Sequence, residues 1–344
     1  MTPIKSLLLA ATIAAAALAT PPAPPTPEAV YGPELEGFDY PFPVQLFEFM
    51  SQGTKLHMAF MDVAPKAPNG RTVVLFHGKN FTAATWDRTI QVLAGAGYRV
   101  VALDQIGFGK STKPAHYQYS FQQLARNTQA LLASIGVGRV TLVGHSTGGM
   151  LAVRYALMFP GTVDQLVLVN PIGLEDWKAE GVPYLTVDQW YQRELGTSTQ
   201  RIRAYEQATY YAGQWRPEFE IPVQMLAGMY RGPGREIVAW NSALLYDMIC
   251  TQPVLYEFGS LTMPTLLLIG QHDTTAIGKD VAPPEVVARI GHYPELGKRA
   301  ASRIPKATLV EFPDLGHAPQ IQDPDGFHRA LLAGLGAGNP ITNK

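Results

Sequence analysis

Six short apolar runs, separated by amphipathic stretches, constrain this sequence more than any other feature. They are "RTVVLFHG" (71–78), "YRVVALDQ" (98–105), "RVTLVG" (139–144), "DQLVLVNP" (164–171), "PTLLLIGQHD" (264–273) and "ATLVEFPD" (307–314). Each is rich in Val, Ile or Leu and is bounded by turn-forming residues, the pattern of strands buried on both faces. The stretches between them read as helices. One begins at Ser120, where Gln123 three residues on suggests a capping box, and Gly136 lies just past its end. Another follows Gly149 and stops at Phe159-Pro160. Strand and helix repeated in this way predict an α/β fold, a mostly parallel doubly wound sheet covered by helices. "FPVQLFEFMSQGTKLHMAFMDV" (42–63) instead predicts an antiparallel hairpin turning near Gln52-Gly53.

One interval breaks the rhythm. Residues 172–262 contain no buried-strand run but hold four of the five tryptophans (Trp177, Trp190, Trp215, Trp240). This interval is expected to be a helical cap inserted over the carboxyl edge of the sheet. The core would then comprise 42–171 and 263–338, with 274–305 adding a loop to the rim of any pocket. The amino terminus differs from both parts. Lys5 precedes "SLLLAATIAAAALAT", a short alanine-rich apolar run, and Ala17-Leu18-Ala19 fits a small-x-small cleavage site. A secretory signal peptide over 1–19 is expected, followed by a Pro-rich leader over 20–41, in which "PPAPPTPEAV" is expected to be mobile. The run is too short and too weakly apolar for a membrane span. The mature chain is therefore expected in the periplasm or outside the cell.

Composition excludes several classes of function. The formal net charge of −1 over 344 residues offers no electrostatic attraction for nucleic acid or an anionic membrane. Cys250 is the only cysteine, so no internal disulfide can form. There is no phosphate-binding Gly-rich loop and no metal-ligand spacing. Gly107-x-Gly109 lacks the rest of a dinucleotide fingerprint. No cofactor or metal is expected. Nothing in the sequence fixes the oligomeric state.

Chemistry concentrates where "RVTLVG" ends. There the chain reads Gly144-His145-Ser146-Thr147-Gly148-Gly149, and an apolar helical pattern follows. A sharp strand-to-helix turn lifts Ser146 out of the packing and sets it at the positive end of the helix, the setting a nucleophile needs. Serine is a poor nucleophile without a base, and the base needs an acid to orient it. His317, in a Gly- and Pro-flanked loop after the last strand, is the candidate base. Asp273, just after the fifth apolar run, is the candidate acid, with Asp176 as the other acid considered. All three lie at strand carboxyl ends, where open α/β sheets bind ligands. His77, His145 and His272 sit in tight turns and are expected to make structural hydrogen bonds. The oxyanion of an acyl transfer needs two N–H donors, and the backbone amides of Thr147 and Lys79 are the candidates. Lys79 is expected to act through that amide, with its ammonium as a solvated charge at the rim.

With these residues in view, "LFHGKNFTAATW", "ALDQIGFGKSTKP", "GHSTGG", "LLIGQHD" and "DLGHAP" together resemble the successive landmarks of the α/β-hydrolase fold superfamily. The resemblance spans roughly 42–338. It is closest to the serine-nucleophile branch with a helical cap, which holds esterases, perhydrolases, carbon–carbon bond hydrolases and proline iminopeptidases. The 104–114 run also resembles haloalkane dehalogenases and epoxide hydrolases, but their nucleophile is an aspartate and this chain has Ser146. Proline iminopeptidases carry His-Gly-Gly-Pro-Gly where this chain has His77-Gly78-Lys79-Asn80-Phe81. The resemblance thus implies a cofactor-free serine hydrolase that cleaves a small-molecule carboxylic ester through an acyl-enzyme. A carbon–carbon bond or amide hydrolase with the same triad is the alternative. A catalytically silent binding protein on this scaffold is the rival from another class.

Overall fold

The computed structural model describes residues 28–337. The expected signal peptide lies outside the described residues, as does the first part of the Pro-rich leader. Among the described residues no helix is long and apolar enough to cross a membrane.

Eight strands form one sheet. A hairpin, β1 (Val44–Ser51) and β2 (Thr54–Val63), turns at Gln52 and Gly53, both at positive φ (52° and 74°) as a tight two-residue turn requires. The other strands are β3 (Thr72–Phe76), β4 (Arg99–Leu103), β5 (Val140–His145), β6 (Val163–Val169), β7 (Thr265–Gly270) and β8 (Ala307–Phe312). They are the six apolar runs. The sheet order is β1-β2-β4-β3-β5-β6-β7-β8, with every pair from β4 to β8 parallel. The chain steps one way from β3 to β4 and the other way to β5. A topological switch therefore falls between β3 and β5, and a crevice opens at their carboxyl ends.

Alternate side chains of each central strand enter different cores. Val74, Phe76, Val101, Leu103, Leu142, Leu166 and Leu168 face α2 (Phe121–Ser134) and α3 (Thr147–Met158). Val73, Leu75, Val100, Ala102, Val143 and Val167 pack instead with side chains of α1 (Asp87–Gly95) and the carboxyl-terminal helix. This is why the strands read as unbroken apolar runs. Ser120 caps α2 by accepting from the Gln123 N–H (3.1 Å). The reciprocal half of the box is absent, because the Gln123 side chain donates to Asn127 (2.8 Å). The helix expected after Gly149 begins three residues earlier, at Thr147, so the glycines lie in its first turn.

Between β6 and β7 every regular element is helical. The chain forms α4 (Trp177–Glu180), α5 (Val187–Leu195), α6 (Thr199–Tyr205), a π-helical turn (Glu206–Tyr210), α7 (Glu220–Arg231) and α8 (Arg235–Thr251). After β7 come α9 (Pro284–Val287) and α10 (Tyr293–Arg303). After β8 come α11 (Pro319–Gln322) and α12 (Pro324–Ala337).

Most of "PPAPPTPEAV" lies outside the described residues, and the leader that follows it is docked. Leu35 is completely buried, packed with Met225, Met229 and Tyr230 of α7. The Tyr31 N–H bonds the Gly228 carbonyl (3.0 Å), and Arg231 donates to the Ala29 carbonyl (2.9 Å). Tyr31, four residues beyond Pro27, and Leu35, two beyond Pro33, give it a docking face that its composition conceals.

Candidate active site

Ser146 occupies the turn between β5 and α3 with φ 56° and ψ −122°, outside the regions an L-residue normally occupies. Strain of this kind persists only where the surroundings impose it. Here they are backbone. A Cβ on Gly144 would lie 2.3 Å from the Gly148 carbonyl oxygen, and one on Gly148 would lie 2.4 Å from the Phe76 carbonyl oxygen. Only glycine lets β3, β5 and α3 come this close. Ser146 makes no capping bond and is 5% exposed.

His317 and Asp273 meet at the same sheet edge, where the His317 carbonyl accepts from the ring of His145, the residue before Ser146 (2.9 Å). His317 Nδ1 donates to Asp273 Oδ2 at 2.6 Å, with both side chains completely buried. Two further donors fix the carboxylate. Asn170 Nδ2 reaches Oδ2 (2.9 Å) and the Thr275 N–H reaches Oδ1 (2.8 Å). Asn170 itself sits just past β6 at φ 37° and accepts from the Gly270 N–H (2.9 Å). His317 Nε2 has no hydrogen-bond partner among the described residues. Asp176 does not join this cluster. It caps α4, accepting from the Lys178 N–H (3.1 Å), and takes the Tyr256 hydroxyl (2.9 Å).

The other histidines divide as their bonds dictate. His77 Nδ1 donates to the Gly78 carbonyl (2.8 Å), and its Nε2 accepts from the Gln105 N–H (3.2 Å), which requires a neutral ring. Burial lowers its pKa. His145 Nε2 donates to the His317 carbonyl (2.9 Å), and the ring stacks on Phe81. Burial first, and His317 second, hold its pKa well below the usual histidine value. His145 is thus a neutral strut beneath the His317 loop. His272 is exposed, and its ring makes no hydrogen bond among the described residues, so the structural bond expected of it is absent.

Over Ser146 passes the loop after β3. A Cβ on Gly78 would lie 2.9 Å from Ser146 Cβ, so the next amide, that of Lys79, lies close to the serine. Neither the Lys79 nor the Thr147 N–H donates to an acceptor among the described residues. The Lys79 ammonium is not the solvated rim charge that the sequence suggests. It is buried in the cap, where it donates to Ser242 Oγ (2.7 Å), stands 3.6 Å from the Tyr246 ring centroid and lies 3.8 Å from Glu194. Burial lowers its pKa and Glu194 opposes that shift.

The cap completes the enclosure. Tyr210, in the π-helical turn, lies against His317 with ring centroids 4.8 Å apart and accepts from Asn80 Nδ2 (3.0 Å). The carbonyls of Thr209 and Tyr210 accept from the His317 and Ala318 amides (both 3.2 Å). Two cavities lie under the cap. One, of ≈ 170 Å³, reaches Lys79, Asn80 and Phe81; the other, of ≈ 400 Å³, reaches Thr209, Thr274 and Thr275. They share Glu194, Thr197, Arg201, Tyr205 and Tyr246 as walls. Among the described residues no three His, Cys, Asp or Glu side chains gather as metal ligands.

Asn170, Glu194 and Tyr210 escape notice in the sequence. Asn170 had a usable signal, since it ends an apolar run at the edge where Ser146, Asp273 and His317 lie. The other two are single letters in helices and have none.

This arrangement is that of an α/β hydrolase. The sequence model of the Alpha/beta hydrolase family matches residues 73–330, and the chain belongs to that family. It is a hydrolase. A crystal structure of a probable hydrolytic enzyme from Pseudomonas aeruginosa PAO1 is 69% identical, with a TM-score of 0.89, and the match covers 90% of this chain and 99% of that one. A 2-hydroxy-6-oxo-2,4-heptadienoate hydrolase of Pseudomonas putida is 27% identical over 277 residues, which is 76% of this chain and 88% of the relative. An uncharacterised protein of Mycobacterium tuberculosis is 38% identical over 108 residues, and the chain spans 31% of that relative's length.

Proposed function

We propose that this hydrolase cleaves a carboxylic ester, with Ser146 as nucleophile, His317 as base and Asp273 as the acid that orients it. The observation that carries the reading is a strained, glycine-flanked Ser146 at the start of α3 beside a buried His317–Asp273 pair. In the reaction, Ser146 Oγ attacks the carbonyl carbon and its proton passes to His317 Nε2. The oxyanion takes the N–H groups of Lys79 and Thr147. His317 then returns the proton to the leaving alkoxide, which departs as an alcohol, and Ser146 is left acylated. Water repeats the sequence and frees the acid. Asp273 stays ionised and holds the Nδ1–H, so the ring presents Nε2 to the serine. His317 Nε2 bonds nothing among the described residues, so on this reading its hydrogen bond to Ser146 forms only with substrate bound. The cavity that reaches Lys79 suits the acyl part, and the one lined by Thr209, Thr274 and Thr275 suits the leaving group.

Hydrolysis of p-nitrophenyl acetate and butyrate, with Ser146→Ala as control, tests the reading. Turnover by the parent chain and a loss of roughly 10³-fold or more in the variant are expected. A second reading is hydrolysis of a carbon–carbon bond beside a carbonyl, favoured by the likeness to the Pseudomonas putida hydrolase. Loss of a dienoate chromophore with no ester turnover would select it. The apolar run after Lys5 supports export to the periplasm or beyond. Amino-terminal sequencing of the mature protein, expected to begin near Thr20, checks that reading.

A further inference from the structure

Lys79 sends its backbone and its side chain to different places. Its amide lies at the loop over Ser146, since a Cβ on the preceding Gly78 would touch Ser146 Cβ. Its ammonium ends in the cap, among residues of two helices. Ser242 and Tyr246 come from α8, and Glu194 comes from α5. Glu194 in turn accepts from Ser242 Oγ (2.5 Å) and from the hydroxyl of Tyr230 on α7. The Lys79 and Glu194 side chains are only 10% and 13% exposed.

A loop that needed only a backbone N–H at position 79 would be more stable with a small or solvated side chain. Burying an ammonium is costly unless a counter-charge and acceptors surround it. At Lys79 they all belong to the cap, so the conformation of residues 78–80 depends on where the cap stands. Asn80 adds a second tie from the same loop, to Tyr210. We infer that Glu194 and Ser242 are positioning residues, which hold the Lys79 side chain so that its amide is aimed over Ser146 and the oxyanion hole is complete only when the cap is seated. The inference rests on the ester reading above, in which the Lys79 amide is one of the two oxyanion donors. Oxyanion donors act only within a narrow range of distance and angle, so a small rotation of this loop is enough to lose one.

A double-mutant cycle on the full chain tests it. Glu194→Gln keeps the shape and removes the counter-charge, Lys79→Met removes the ammonium, and the double variant restores neutrality. Each single variant is expected to lower kcat for p-nitrophenyl butyrate by about 10–100-fold, short of the 10²–10³ lost with a whole oxyanion donor, with KM within about threefold. The loss in the double variant should be well below the product of the two single losses, because both act through one contact. Ser242→Ala, which leaves the ion pair in place, should show the same fall in kcat at smaller size. It serves if melting curves show that Glu194→Gln does not fold. A multiplicative cycle, or a raised KM at unchanged kcat, would overturn the inference. Hydrogen exchange of the 77–82 peptide reads the latch without any substrate. It should speed up about tenfold or more in Glu194→Gln, or in Ser242→Ala if that variant is used, and unchanged exchange would overturn the latch. Faster exchange in a chain whose parent has no Ser146-dependent ester turnover would remove the ester reading alone.

Discussion

Asn170→Ala isolates a residue that serves both stability and the site. Asn170 donates to Asp273 Oδ2 (2.9 Å), accepts from the Gly270 N–H (2.9 Å) and holds φ at 37°. Three losses follow from truncation. The hydrogen bond to a charged carboxylate contributes about 1.5–3 kcal/mol. The Gly270 N–H, at the end of fully buried β7, loses its acceptor at a cost of about 1–3 kcal/mol. Alanine tolerates a left-handed backbone less well than asparagine, by about 1 kcal/mol. Because the terms overlap, the expected total is about 3–5 kcal/mol rather than their sum. Urea unfolding monitored by tryptophan fluorescence measures it. On the reading proposed here, Asp273 also loses one of its three donors and swings, so kcat should fall about 10–100-fold with KM little changed. Asn170→Gly, which relieves the backbone term but not the bonds, should recover about 1 kcal/mol and none of the activity. A stability loss under 1 kcal/mol would refute the bonding argument. Full activity in a destabilised variant would refute the link to Asp273.

Two other predictions concern pH and stability. Glu206 is completely buried, and neither carboxylate oxygen has a hydrogen-bond partner among the described residues. Burial first, and Glu220 second, raise its pKa well above the usual value. Its contribution is therefore full below the unfolded pKa near 4.3 and is lost as pH rises through the folded one. Glu206→Gln should then raise Tm at pH 7–8 and leave it nearly unchanged at pH 4; equal shifts at both would contradict the assignment. His328, buried between α1 and α12 and bonded to Thr89 Oγ1 (2.9 Å), has its pKa lowered to about 4 by burial. Here the unfolded chain binds the proton more tightly, so stability should rise by up to about 3 kcal/mol from pH 4 to 6.5. His328→Gln should flatten most of that slope, and an unchanged slope would count against it.

The sheet was legible because its strands are buried on both faces, which leaves unbroken Val and Leu runs in the sequence. The turn at Ser146 was legible because its constraint is local: glycines at 144 and 148 are needed where backbones lie within van der Waals contact. His317 and Asp273 could be picked out as candidates because the parallel strands β3 to β8 send their carboxyl ends to one edge. What sequence reading missed depends on partners far away in the chain. Lys79 looks solvated until Glu194 and Ser242, more than a hundred residues on, are brought to it. The docking of the leader stays hidden until Leu35 meets α7. The π-helical turn that clamps the His317 loop leaves no periodic signal, being a single turn of irregular spacing.

The central claim is that Ser146 forms the acyl-enzyme. A fluorophosphonate reacts with an activated serine and leaves a stable phosphonyl adduct on its Oγ. Intact-mass measurement followed by peptide mapping should show one adduct per chain, on the peptide carrying Ser146, formed in step with loss of activity and absent in Ser146→Ala. Full inactivation with the adduct on another residue, or an active enzyme that takes no label, would contradict the account.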